Sequence, residues 1–151
     1  MQIGEALPAC NLTGADGTRF ALADRIDRPI VLYFYPKADT TGCTREAQDF
    51  SALSDDFRAR GAVVIGVSRD TPAKLTRFAE KHALTIDLAS DDDGSVCEAF
   101  GTWVEKQMYG RHYMGIERAT FLFDADGKLT REWRKVKVAG HAAEVLHALP
   151  T

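Results

Sequence analysis

The sequence lacks most of the features that mark secreted, membrane-bound or nucleic-acid-binding proteins. Its 151 residues include only three cysteines, at wide and unequal spacing, so a structural disulfide framework is not expected. No apolar run approaches the ~20 residues of a membrane span, and the N-terminus does not read as a signal peptide. Its 22 acidic and 19 basic residues are mixed along the chain, which excludes a strongly basic surface. We therefore expect a cytoplasmic protein that has neither nucleic acid nor membrane as a partner.

Metal and cofactor motifs are also missing. The four histidines show no H-x-x-x-H spacing and the cysteines form no C-x-x-C pair, so no metal site is predicted. No glycine-rich phosphate cradle is present, which argues against a nucleotide or flavin cofactor. The histidines are expected in loops or at the surface, at positions His82, His112, His141 and His147.

Short turn signals divide the chain, without a linker or an internal repeat, so a single domain over 1–151 is predicted. Apolar runs and alternation predict strands at 10–12, 18–22, 29–35, 62–68, 85–89, 119–123 and 128–134. Helical spacing predicts helices at 43–60, from 72 onwards, at 95–100 and at 141–149. Residues 101–115 show no clear period and are expected to form a long loop. This order indicates an α/β, thioredoxin-like fold, in which a mixed central sheet carries helices on both faces.

Cys43 stands in the first turn of a predicted helix, after a buried strand and a short loop. Free backbone N–H groups and the helix dipole stabilise a thiolate at such a position, and the thiolate is the nucleophilic form of cysteine. A free cysteine is more often a small buried hydrophobe. Its place at the helix start, beside Thr40 and Gly42, favours the nucleophile.

A motif around Cys43 resembles the active-site signature of the peroxiredoxins. Pro36-x-x-x-Thr40-x-x-Cys43 matches that signature at fixed spacing. Similarity to the bacterioferritin-comigratory-protein subgroup, also called the Q type, extends over nearly the whole chain. It includes Tyr33-Phe34-Tyr35, Gly66-Val67-Ser68, Phe100-Gly101-Thr102-Trp103, Met108-Tyr109-Gly110 and Gly115-Ile116-Glu117-Arg118-Ala119-Thr120-Phe121-Leu122.

The resemblance implies a thiol peroxidase that reduces hydrogen peroxide and organic hydroperoxides. By the match of motifs, Cys43 is the attacking cysteine, Thr40 and Arg118 bind the peroxide, and Pro36 shields the thiolate. The residues also permit other roles: a helix-capping hydroxyl for Thr40, a strand end at Pro36 and a surface arginine at 118. Glu46 could pair with Arg118 or complement the helix dipole, and this choice stays open.

The chain departs from the subgroup in the second thiol that would reduce the oxidised Cys43. Gln48 and Ala79 stand where related proteins carry a resolving cysteine. Cys97 is predicted to be packed within a short helix, and Cys10 to be buried on a strand. We therefore favour a one-cysteine mechanism in a monomer, with thioredoxin, glutaredoxin or a low-molecular-weight thiol as the reductant.

Two other functions remain open from the sequence. A thioredoxin-like thiol oxidoreductase would need C-x-x-C at the helix start, where this chain has Thr40-x-x-Cys43. A non-catalytic redox-sensing or interaction domain would use oxidation of Cys43 to change a partner surface.

Overall fold

The computed structural model describes residues 1–25 and 27–149, so residue 26 and the last two residues of the predicted domain lie outside it. The described residues form nine strands, five α-helices and a short 3-10 helix. The strands are β1 (Asn11–Gly14), β2 (Arg19–Ala21), β3 (Ile30–Phe34), β4 (Val63–Ser68), β5 (Asp87–Ser90), β6 (Trp103–Met108), β7 (Arg111–Ile116), β8 (Ala119–Phe123) and β9 (Leu129–Trp133). The helices are α1 (Thr41–Ala52), α2 (Ser54–Ala59), α3 (Pro72–Lys81), α4 (Ser95–Ala99) and α5 (His141–His147).

Seven strands form one mixed sheet in the order β2-β1-β5-β4-β3-β8-β9. β3 is parallel to β4 and antiparallel to β8, and β4 is parallel to β5. All five residues of β3 are buried, as the continuous apolar run predicts for a strand covered on both faces. Because α1 follows β3 directly, the loop at 35–40 and the first turn of α1 lie at the carboxyl end of the central strand.

The two faces of the sheet carry separate hydrophobic clusters. One cluster joins Cys43 and Phe50 of α1 to apolar residues of α2, α3 and α5. The other cluster lies on the opposite face and contains α4 with the alternate side chains of β3, such as Leu32 and Phe34. This is the predicted architecture, with helices on both faces of a mixed sheet.

The helix predicted at 43–60 is two helices, because the chain departs from helical geometry at Leu53, whose φ is −100° and ψ is 7°. The hydroxyl of Ser54 donates to the carbonyl of Ser51 at 2.8 Å and contacts the hydroxyl of Thr85. Serine side chains that bond to nearby backbone in this way compete with regular helix hydrogen bonds.

The long loop predicted at 101–115 is wrong. Residues of β6 and β7 pair from Trp103–Ile116 to Met108–Arg111 as a separate two-stranded hairpin. Tyr109 and Gly110 both have positive φ, 52° and 77°, as a two-residue primed turn requires. Tyrosine seldom adopts that geometry, and this explains why the turn gave no clear signal in the sequence.

The surface position predicted for the histidines is wrong for His141. Its side chain is 4 % exposed and its Nε2 lies 2.7 Å from the hydroxyl of Thr120. Burial lowers the pKa of His141 to about 4, so the ring is neutral near pH 7. No helix of the described residues combines the length and the apolar character needed to cross a membrane.

Candidate active site

Cys43 lies in the first turn of α1 with its side chain turned towards the sheet. The residue is 2 % exposed and packs in the same cluster as Tyr33, Tyr35 and Phe50. Thr40 is the N-cap residue, yet no described side chain caps the helix through a hydrogen bond. The first N–H groups of α1 therefore remain available to favour negative charge beside the sulfur.

Arg118 reaches Cys43 from the short connection between β7 and β8. Its Nη2 donates to Sγ of Cys43 at 3.3 Å, and its Nη1 donates to Oε1 of Glu46 at 2.6 Å. Gly42 leaves room for this approach, since a Cβ at that position would lie 3.3 Å from Nη2 of Arg118 and would crowd the guanidinium. A guanidinium is thereby held against the sulfur by a fixed carboxylate.

Glu46 is the buried partner that orients Arg118, which answers the choice that the sequence leaves open. Its side chain is 1 % exposed, and Oε2 has no hydrogen-bond partner among the described residues. Burial raises the pKa of Glu46 to about 7, although the contact with Arg118 opposes this. The pairing with Glu46 and Cys43 in turn raises the pKa of Arg118, so the guanidinium stays charged.

Thr40 does not act as a side-chain cap. Its hydroxyl donates to the backbone carbonyl of Lys37 at 2.9 Å. A hydroxyl has one proton and two lone pairs, so this bond leaves Thr40 able to accept a further hydrogen bond. The Thr40 side chain is exposed to solvent.

An apolar cleft opens beside the loop that carries Pro36 and Thr40. On its far side the hairpin of β6 and β7 contributes a wall on which Met108, Tyr113 and Met114 are 54 %, 43 % and 49 % exposed. The cleft is lined by Pro36, Lys37, Thr40, Arg69, Trp103, Lys106, Met108, Tyr113, Met114, Gly115 and Ile116. Lys106 lines the cleft close to Arg118. Partial burial and the charge of Arg118 lower the pKa of Lys106.

Comparisons with known proteins agree with this geometry. A model of the AhpC/TSA family matches residues 3–132. Peroxiredoxin Bcp of Bacillus subtilis (strain 168) is 48 % identical over 149 residues, covering 99 % of this chain and 95 % of its own. The chain belongs to the AhpC/TSA family and is a peroxiredoxin, a thiol peroxidase.

Solved structures of this kind of peroxiredoxin share the fold. The bacterioferritin comigratory protein of Xanthomonas campestris superposes with a TM-score of 0.89 at 42 % identity, covering 96 % of this chain and 97 % of its own. A mutant of PrxQ from Xylella fastidiosa gives a TM-score of 0.93 at 40 % identity, with coverage of 99 % and 95 %. The predicted Q-type resemblance and the thioredoxin-like fold are confirmed.

The other two thiols of this peroxiredoxin lie on the opposite face of the sheet from Cys43. Cys97 is fully buried in the second cluster, and Cys10 packs at its edge with Sγ 3.3 Å from the carbonyl of Pro8. Burial raises the pKa of Cys10 to about 11 and that of Cys97 further, so both stay protonated. All three cysteines are free.

The loop before Cys43 is held by contacts that the sequence did not reveal. Asp39 adopts a positive φ of 64°, and its two carboxylate oxygens lie 2.9 Å from Lys81 and from His82 at the end of α3. These partners lower the pKa of Asp39. The N–H of Ala38 also donates to Asp70 at 2.7 Å. The loop before Cys43 is thus anchored to α3 and to the end of β4.

Some site residues gave no signal in the sequence. Lys106 and the exposed methionines belong to the hairpin that was expected to be a loop, so their approach to the site depends on tertiary contacts. Gly42 could have been inferred from its place next to Cys43, where a larger residue would crowd an approaching cation. Within residues 1–25 and 27–149, no group of three or more potential ligands could hold a metal ion.

Proposed function

We propose that Cys43 is the attacking residue of this thiol peroxidase and that Arg118, Thr40 and Pro36 assist it. The contact that carries the proposal is the 3.3 Å hydrogen bond from Arg118 to Sγ of Cys43. The thiolate attacks one oxygen of the hydroperoxide, so that an S–O bond forms while the O–O bond breaks. The departing alkoxide or hydroxide takes up a proton, and Cys43 is left as a sulfenic acid.

Each assisting residue has a separate task in this step. Negative charge moves from sulfur to the departing oxygen, and the guanidinium of Arg118 stabilises it without needing to reorganise. Thr40 accepts the hydrogen bond of the peroxide hydroxyl, since its own proton is bound to the carbonyl of Lys37. Pro36 forms part of the cleft wall and offers no N–H that water could use.

We further propose a one-cysteine cycle in which an external thiol reduces the sulfenic acid. Cys10 and Cys97 are separated from Cys43 by the full thickness of the sheet, so opening of the first turn of α1 does not bring them into contact. The reductant is then thioredoxin, glutaredoxin or a low-molecular-weight thiol. Three free thiols fit the reducing conditions of the cytoplasm, where we expect the protein to act as a monomer and a single domain.

Organic hydroperoxides are the substrates that the apolar cleft favours over hydrogen peroxide. The Xanthomonas campestris relative has alkyl peroxide reduction activity. The exposed side chains of Met108, Tyr113 and Met114 give this chain an apolar wall on which an alkyl group can pack. Hydrogen peroxide has no apolar part to bury there.

Intact-mass spectrometry after one equivalent of peroxide tests the mechanism. A sulfenic-acid trap should add one adduct to Cys43 in the wild type and none in Cys43→Ser. Loss of two hydrogens without an adduct would instead show an internal disulfide and contradict the one-cysteine cycle. Full peroxide turnover by Cys43→Ser would contradict the assignment of the nucleophile.

Substrate preference is tested on the hairpin wall. Met114→Ser should raise the apparent KM for cumene hydroperoxide more than that for hydrogen peroxide, because the alkyl group loses apolar contact. Ile3→Ser is the matched control, since Ile3 is 66 % exposed and does not line the cleft. Equal effects of Met114→Ser on both peroxides would argue against the wall as a binding surface.

A further inference from the structure

A second cleft lies on the other side of the loop before Cys43. While Pro36 and Thr40 line the apolar cleft, Ala38 and Asp39 line a space of about 360 Å³ between the loop and α3. Its remaining walls are Lys74, Arg77, Phe78 and Lys81. Loop residues 36–40 therefore separate the two clefts. Both have cations at their edges, and the first differs in the exposed apolar wall that the hairpin contributes.

The cationic side chains stand on one face of α3, at spacings of three and four residues. Lys81 is paired with Asp39, and the charge of that carboxylate is thereby balanced. Lys74 and Arg77 are exposed and form no ion pair with any of the described residues. The cleft thus presents two uncompensated positive charges next to the active-site loop.

The floor of this cleft is continuous with the packing around Cys43. Phe78 is 2 % exposed, and its ring centroid lies 6.3 Å from that of Tyr35. Tyr35 and Phe78 belong to the same hydrophobic cluster as Cys43. A molecule held over Phe78 therefore rests on an aromatic layer that belongs to the same cluster as Cys43.

We propose that this cleft binds the carboxylates of an anionic low-molecular-weight thiol, which is the reductant of the Cys43 sulfenic acid. The inference rests on the proposed one-cysteine cycle. The volume of the cleft lies in the range of small-molecule sites, and Lys74 and Arg77 supply the positive charge that would bind carboxylates. The peroxide uses the other cleft, so substrate and reductant approach the loop from opposite sides.

The reductive steps balance with two equivalents of thiol. The thiolate of the first attacks the sulfenic sulfur, an S–S bond forms, the S–O bond breaks, and hydroxide leaves with a proton as water. A second thiolate then attacks the small-molecule sulfur of this mixed disulfide. The thiolate of Cys43 is released and the two thiols leave as their own disulfide.

The test measures the reductive half-reaction alone, on protein whose Cys43 has first been oxidised by one equivalent of peroxide. Decay of the trappable sulfenic acid is followed with 3-mercaptopropionate, 2-mercaptoethanol and cysteamine, which carry negative, neutral and positive charge. Each rate is corrected for the thiolate fraction at the working pH. Glutathione is included as an anionic thiol large enough to fill the cleft.

Lys74→Gln and Arg77→Gln should each slow reduction by 3-mercaptopropionate and glutathione about two- to fivefold at low salt, and the glutathione concentration that gives half the maximal rate should rise. Reduction by 2-mercaptoethanol should stay within about twofold of the wild type, and added salt should shrink the effect. The matched control is Lys128→Gln, an exposed cation in the turn after β8, at the end of the sheet away from the loop.

Three results would overturn the proposal. They are equal rates for the three small thiols after correction, an equal loss in Lys128→Gln, or a loss confined to a protein reductant such as thioredoxin. Absence of any trappable sulfenic acid on wild-type Cys43 would overturn the proposed function as well. A sulfenic acid that forms normally but shows no charge preference would refute only the thiol site.

Discussion

Replacement of Arg118 by glutamine removes the charged donor that contacts Sγ of Cys43, the sulfur that we propose to react. Glutamine is too short to hold both the 3.3 Å contact to Sγ of Cys43 and the 2.6 Å contact to Glu46. Loss of a preorganised donor to developing negative charge costs about 10²- to 10³-fold in rate. We expect Arg118→Gln to slow formation of the sulfenic acid by that factor, measured by rapid quench with a sulfenic-acid trap.

The same substitution should change the pH dependence of stability. Burial already raises the pKa of Glu46 to about 7, so between pH 4.5 and 7 the folded protein binds more protons than the unfolded chain. The free energy of unfolding therefore falls as pH rises through this window, by about 3 kcal/mol from this group. Without Arg118 the carboxylate of Glu46 loses the ion-pair partner that it has among the described residues, and this fall extends to higher pH.

Unfolding by urea at pH 6 and pH 8 measures this effect. Breaking a buried pair costs about 3–5 kcal/mol when the remaining group stays charged, so the loss in Arg118→Gln should be larger at pH 8. Glu46→Gln is the matched control, because it removes the titrating group and leaves Arg118 able to donate to the sulfur. It should lose about tenfold in rate or less, and the double variant should show no added dependence on pH.

Two outcomes would refute this reasoning. If Arg118→Gln forms the sulfenic acid at the wild-type rate, the guanidinium does not stabilise the departing oxygen. If its stability relative to the wild type is the same at pH 6 and pH 8, Glu46 does not titrate as its burial requires.

Three further predictions follow from the same structure. Gly42→Ala should slow sulfenic-acid formation about tenfold or less without loss of urea stability, because its Cβ would lie 3.3 Å from Nη2 of Arg118 while alanine favours the helix. A double Cys10→Ala, Cys97→Ala variant should keep peroxide turnover with an external thiol within about twofold, since both thiols face away from the site; a large loss would indicate a resolving role. The pKa of His141, lowered to about 4, predicts that stability is lost as pH falls from 6.5 to 4, by about 2–3 kcal/mol; unfolding of His141→Gln over this range should lack that contribution.

Much of the fold followed from the sequence because its central elements carry strong local signals. The apolar run of β3 and the helical spacing after Cys43 depend only on burial; the strand forms as predicted, and helix follows Cys43, although a break at Leu53 divides it into two. The hairpin of β6 and β7 was missed because its strands are partly exposed and charged, so neither alternation nor an apolar run marks them. His141 was misplaced because its burial depends on a partner, Thr120, that is distant in sequence.

The site shows the same division between local and tertiary information. The motif spacing predicted Cys43 and its neighbours as site residues, the resemblance added Arg118, and the structure brings Arg118 into contact with Cys43. The ion pair of Arg118 with Glu46 joins residues 72 positions apart in the sequence. It forms because the fold places the start of β8 beside the start of α1, which no local pattern reveals. The anchoring of Asp39 by Lys81 and His82 likewise depends on α3 folding back against the loop.

The burial of the sulfur sets different demands on the two halves of the cycle. Cys43 is 2 % exposed and does not line the apolar cleft, so even a small peroxide must pass Pro36 and Thr40 to reach Sγ. The reducing thiol meets a stricter demand, because its larger sulfur must pass the same loop and approach along the S–O axis. The loop is held by Asp39 and by the Ala38 N–H, through contacts at or near the surface, whereas β3 beneath it is buried along its whole length. Exposed ion pairs of this kind stabilise little and are screened by salt. We therefore expect local opening of residues 36–43 to expose the oxidised sulfur at less cost than unfolding of the sheet. Asp39→Asn keeps a residue that tolerates the positive φ but removes the charge, so it should speed reduction by a neutral thiol while leaving the unfolding transition of the sheet in place.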